Sequence, residues 1–241
     1  MTHRLFPAVL TCLLCAHCSC VLAQMRWQED RFVDGRDTMH YLVNYPPGYA
    51  DSSAVPLVLF LHGGGEGGRD LERVKRNGLP QEIERGRSFP FVTLAPQNRF
   101  ERGFWDHVML TYLLDDFVST RKIDPDRIYL TGLSRGGLGA WMLAMHNPGR
   151  FAALAPVCGA VPANYDIWIP DSLPIWVFHG TDDDLIHPSE SVRMIENLRR
   201  KNMHPMPKLT LFEGVGHNSW ELAYAGKGLY EWLLGNRLGR E

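Results

Sequence analysis

Six short apolar runs set the strongest limit on what this chain can fold into: "PLVLFLHG" (Pro56–Gly63), "FVTLAPQ" (Phe91–Gln97), "RIYLTG" (Arg127–Gly132), "FAALAPVCG" (Phe151–Gly159), "PIWVFHG" (Pro174–Gly180) and "KLTLFEGVGH" (Lys208–His217). Each is too short for a core helix and lacks the alternation of a half-exposed strand. Continuous runs of this kind are what a parallel sheet covered on both faces requires. Ahead of them, "DRFVD" and "MHYLVNYPPGY" flank Gly35-Arg36-Asp37 and predict an antiparallel pair. Helices are predicted between the runs. Val108–Ser119 is one, stopped before "KIDPDR", where Pro125 enforces a turn. Arg135–His146 is another, with Leu138, Trp141, Met142 and Met145 on one stripe. Pro188–Lys201 and Asn218–Leu234 complete the set. The pattern predicts an α/β fold with an eight-stranded, mostly parallel sheet flanked by helices. With no repeat or linker in view, residues 24–241 are expected to form one domain.

Residues 1–23 read differently. "MTHRLFPAVLTCLLCAHCSCVLA" has a basic Arg4, an apolar run from Leu5 to Leu14, then smaller residues up to Ala23. That layout predicts a secretory signal cleaved after Ala23, and hence a secreted or periplasmic protein. His17 and Ser19 interrupt the run short of the roughly 18–20 apolar residues of a membrane span, so no stable span is expected after cleavage. Cys12, Cys15, Cys18 and Cys20 would leave with the signal. Cys158 alone would remain, as a buried core thiol, and no internal disulfide is expected. The formal net charge is −2, with both signs mixed along the chain, so no nucleic-acid partner is expected.

The chemistry centres on "TGLSRGG", Thr131–Gly137. A buried strand leads into Gly132-Leu133-Ser134-Arg135-Gly136 and an amphipathic helix follows at once. So tight a strand-to-helix turn strains its middle residue, needs small neighbours two positions away, and lifts the Ser134 hydroxyl clear of the backbone. Serine needs a base to take its proton. Of the ten histidines, His217 is best placed, on a glycine-flanked loop after the last strand. The base needs a carboxylate to fix its tautomer. "FHGTDDDLIHP" offers Asp182, Asp183 and Asp184, and Asp183 is the choice. A metal reading of this stretch has no matching ligand cluster elsewhere, so no metal or cofactor is expected. Donors for an oxyanion are expected from the loop in "LFLHGGGEGG", at Gly64 or Gly63, and from the backbone N–H of Arg135. A phosphate-binding reading of that loop lacks the Gly-Lys-Ser/Thr ending.

With these residues in view, the chain resembles secreted bacterial α/β-hydrolases of the carboxylesterase and phospholipase/carboxylesterase type, related to prolyl-oligopeptidase catalytic domains. The resemblance rests on "LVLFLHGGGEGG", "APQNRFERGFWD", "KIDPDRIYLTGLSRGGLGAWMLAMHNPGRFAALAPVCG", "PIWVFHGTDDDLIHPSES" and "GVGHNSW". It implies a triad of Ser134, Asp183 and His217, with the Gly63–Gly64 region and Arg135 as the oxyanion hole. Two positions depart from the relatives. Arg135 stands where they often have methionine, and Phe104-Trp105 where they tend to carry two tryptophans.

The expected activity is hydrolysis of carboxylic esters through an acyl-enzyme on Ser134. Only Ala160–Leu173 separates the sixth strand from the seventh, so no lid domain is expected and small or soluble esters are favoured over interfacial ones. Trp105, Tyr165 and Trp168 are candidate walls for the substrate. A serine peptidase and a catalytically silent binding protein on the same fold are the alternative readings.

Overall fold

The computed structural model describes residues 27–35 and 37–239, so the expected signal at 1–23 lies outside the described residues. Eight strands make one sheet: β1 (Gln28–Asp34), β2 (Asp37–Asn44), β3 (Val55–Leu61), β4 (Val92–Pro96), β5 (Ile123–Leu133), β6 (Ala153–Val157), β7 (Trp176–Gly180) and β8 (Lys208–Phe212). Their order is β1-β2-β4-β3-β5-β6-β7-β8. The first two pair antiparallel, β2 runs antiparallel to β4, and every later pairing is parallel. The helices are α1 (Gly78–Glu84), α2 (His107–Thr120), α3 (Arg135–His146), α4 (Ser189–Arg200), α5 (Trp220–Ala225) and α6 (Lys227–Leu234).

Strands β3 to β7 find the cover they need on both faces, whereas β8, at the edge of the sheet, stays partly exposed, with Leu211 on its surface. Side chains alternate along a strand, so Leu57, Leu59 and Leu61 of β3 point into one layer and Val58 and Phe60 into the other. The first layer is closed by α2 and α3, through Leu113, Phe117 and Trp141, and by α4, through Met194 and Leu198. The second is closed by Leu79 and Ile83 of α1, Tyr224 of α5 and Leu229 and Leu233 of α6. Among the described residues no helix is long and apolar enough to cross a membrane.

Two local expectations are corrected, and one helix is added. Pro125 does not end a turn ahead of the strand but sits inside β5. Val55 pairs with Ile123 and Leu57 with Ile128, so residues 124–127 bulge out of register, where proline's missing N–H costs the ladder nothing. The single helix expected over Asn218–Leu234 is two, because Gly226 takes an extended conformation between α5 and α6. Helix α1 was not anticipated. Its signal is only Leu79 and Ile83, one turn apart, with Gly78 ahead of them and Pro80 between.

Candidate active site

The parallel strands present their C-terminal ends along one edge of the sheet, and β5, β7 and β8 each deliver one chemical group there. Strand β5 runs straight into Ser134, which has φ 53° and ψ −120°, an unusual conformation for a residue with a side chain. Its N–H donates to the Val157 carbonyl at 2.9 Å, and α3 begins at the next residue. Gly136 shows why the turn tolerates nothing larger. A Cβ there would overlap the Leu61 carbonyl oxygen and lie 2.5 Å from that of His62.

Asp183 follows β7 and His217 follows β8. His217 Nδ1 lies 2.7 Å from Asp183 Oδ2, and Nε2 lies 2.8 Å from Ser134 Oγ. A carboxylate only accepts, so Nδ1 carries the proton and Nε2 is free to accept from the Ser134 hydroxyl. Asp183 Oδ1 accepts the N–H groups of Leu185 at 3.0 Å and Ile186 at 2.9 Å. Burial works against charge on Asp183. The Ile186 N–H, the bond to His217 and the Leu185 N–H outweigh it and hold the carboxyl below the usual range. Asp182 and Asp184 are exposed on the same turn, and Asp182 accepts instead from the Thr181 hydroxyl. The structure thus brings together Ser134, Asp183 and His217.

Gly63 and Gly64 lie on the loop after β3, beside the start of α3. Arg135 opens that helix, where an N–H has no acceptor within the helix. His62 braces the loop from beneath. Its Nδ1–H donates to the Gly63 carbonyl at 2.7 Å, and its Nε2 accepts the Asn98 N–H at 3.0 Å. Burial pushes His62 down to about 4, so the ring is neutral at pH 7. Gln97 Nε2 ties the same loop down at the carbonyls of Glu66 and Asp70. Neither His62 nor Asn98 was picked out for this role from sequence. The only available signal was a histidine directly ahead of the glycine run.

The three aromatic candidates fare differently. Trp105 is 7% exposed and packs in the core, with its indole N–H donating to the His62 carbonyl at 3.2 Å. It supports the loop from behind. It also borders a cavity of about 110 Å³ with Met39, Phe100 and Phe104, to which no triad residue contributes. Tyr165 and Trp168 lie on a 3-10 turn, Ala163–Trp168, which Asn197 and Lys201 of the α4 region hold through its backbone carbonyls. Tyr165 is half-buried against the core, while Trp168 is 63% exposed. Cys158 is a free, buried thiol whose sulfur lies within 4.8 Å of ligand atoms of Asp183 and His217.

A sheet of this order, with a strained serine elbow after β5, an acid after β7 and a histidine after β8, defines an α/β hydrolase. The model of the Esterase family, described as "Putative esterase", matches residues 36–217, and the chain belongs to that family. It is 27% identical over 168 residues to "Putative esterase NocK" of Nocardia uniformis subsp. tsuyamanensis, covering 64% of this chain and 47% of that protein. It is also 27% identical over 176 residues to the bifunctional acetylxylan esterase/xylanase XynS20E of Neocallimastix patriciarum, covering 68% of this chain and 24% of that one. The chain therefore spans half or less of the length of these curated relatives. A solved thermostable esterase superimposes with a TM-score of 0.74 at 26% identity, over 88% of this chain and 63% of that structure.

Proposed function

We propose that this chain is a serine carboxylesterase working through an acyl-enzyme on Ser134, exported by a signal over residues 1–23, with one catalytic domain over 24–241. The observation that carries the reading is the unbroken hydrogen-bond chain Asp183–His217–Ser134, at 2.7 and 2.8 Å. Ser134 Oγ attacks the ester carbonyl while His217 Nε2 takes its proton. Asp183 keeps the ring in the tautomer that can do this and stabilises the imidazolium that forms. The tetrahedral oxyanion accepts from the backbone N–H groups of Arg135 and of Gly64 or Gly63. His217 returns the proton to the departing alcohol. Water, deprotonated by the same ring, then cleaves the acyl-serine and releases the acid. The sequence of steps calls on no cofactor or metal.

The test is a p-nitrophenyl ester series from acetate to palmitate, with the chain starting at Gln24 and with Ser134→Ala in parallel. Turnover of short esters, with a loss of about 10³-fold or more in the variant, is the expected result. Equal and negligible rates for both proteins would overturn the proposal.

A further inference from the structure

We propose that the Arg135 side chain reads a negative charge on the substrate, so that the preferred esters carry a carboxylate a few bonds from the scissile carbonyl. Half-esters of short dicarboxylic acids are the simplest members of that class. The inference rests on the esterase reading of the same site and specifies its substrate.

Arg135 follows the serine, and its side chain turns back across the glycine loop. Nη1 donates to the Glu101 carbonyl at 2.8 Å and lies 3.4 Å from that of Gly103. The guanidinium rests against Gly64, where a Cβ would come within 2.9 Å of Nη2 and 3.0 Å of Cζ. A side chain at that position would have to push the guanidinium aside. The side chain is therefore already ordered, and a substrate need not supply the entropy of fixing it.

The charge is held but not neutralised. Among the described residues no carboxylate lies within 4.0 Å of this guanidinium, whereas Arg73, Arg99, Arg121 and Arg127 each have an acid partner. The acids nearby are turned elsewhere. The Glu101 carboxylate pairs with Arg73, and that of Glu66 is buried, bonded to Asn77 and facing His62. Asp183 is taken up by His217. Two backbone carbonyls would anchor a loop equally well through a neutral amide. What the guanidinium adds is a fixed positive charge, with Nε and Nη2 carrying no protein acceptor among the described residues. That fork matches a carboxylate.

The experiment compares ethyl pentanoate with monoethyl glutarate, in which a carboxylate replaces the terminal methyl, by pH-stat at low and high salt. We expect kcat/KM of the wild-type chain to favour monoethyl glutarate by tenfold or more, with the preference shrinking as salt rises. Arg135→Met should bring the ratio to one or below, and Arg135→Lys should restore part of it. A wild-type ratio near one, or an Arg135→Met variant slowed alike on both esters, would overturn the inference and leave the esterase reading in place. Calorimetry of glutarate binding to Ser134→Ala separates the two readings in the other direction. Binding that disappears when Arg135→Met is added supports the anion site even if no ester is turned over. Absence of both binding and turnover overturns both.

Discussion

His179 Nε2 lies 3.1 Å from Asp183 Oδ2, the same oxygen that takes His217 Nδ1 at 2.7 Å. Asp183 thus stands between the imidazole that reaches Ser134 and one that faces only the interior. His179 is fully buried, and burial pushes it below its ordinary value, so it is neutral. Its Nε2 faces a second acceptor, the Ile186 carbonyl at 2.8 Å, and must carry the proton. Nδ1 then accepts from the Ser191 hydroxyl at 2.7 Å. A line of donors runs from Ser191 of α4 through His179 to Asp183.

Cutting that line at its far end is the most informative test. Ser191→Ala leaves His179 Nδ1 buried without a donor, at a cost of about 1–3 kcal/mol. Urea unfolding should show that loss, and kinetics should show kcat reduced while KM holds, because the acid is loosened and the substrate contacts are not. Wild-type stability and kcat together would mean that Asp183 needs no support from His179.

Replacing the acid itself gives a larger effect. Asp183→Asn removes the acceptor that fixes the His217 tautomer, and a fall of about 10⁴-fold in kcat is expected in single-turnover or steady-state assays. A loss under tenfold would assign the orienting role to another group.

Acid sensitivity should begin well above the carboxylate range. His62 is neutral in the fold, with a value near 4 against an ordinary 6.5, so the unfolded chain takes up its proton first as pH falls. The stability His62 confers is complete above about pH 6.5 and is lost progressively down to about pH 4, a change of roughly 3 kcal/mol. Asp183, whose value is lowered in the fold, contributes stability that disappears only below about pH 3.9. Urea unfolding between pH 7.5 and 4.5 should therefore show a slope that flattens in His62→Gln. An equal slope in both proteins would trace the acid loss to other groups.

The elbow offers a purely steric test. A Cβ at Gly136 meets two backbone carbonyls, neither of which can swing aside as a side chain would. Gly136→Ala is expected to cost more than about 4 kcal/mol or to prevent soluble expression. Thermal unfolding close to wild type would show that α3 can back away from the sheet.

Much of this was legible in the linear text because it is local. The six apolar runs became β3 to β8, and α3 occupies Arg135–His146 as its stripe of apolar residues predicted. The choice of Asp183 among three neighbouring acids followed from one turn's geometry, since alternate side chains leave a tight turn in different directions. The unread parts are those set by long-range packing. Trp105 looks like a cleft residue beside Phe104, yet its indole reaches back to a carbonyl 43 positions earlier, and only the folded sheet brings the two together. The support from His62 and His179 is of the same kind, because a neutral histidine with both nitrogens occupied leaves no periodic trace. Helix α1 is short and draws its order from the layer it covers.

Cys158 carries one last consequence. Burial pushes its thiol up to about 12, so in the folded protein it stays protonated and inert toward alkylating reagents at neutral pH. In a chain that begins at Gln24 it is the sole cysteine. Its buried sulfur sits within 4.8 Å of ligand atoms of Asp183 and His217, so alkylation can proceed only when the molecule opens at that spot. The rate at which iodoacetamide marks this one atom is thus a native clock for how often Asp183 and His217 come apart from their neighbours.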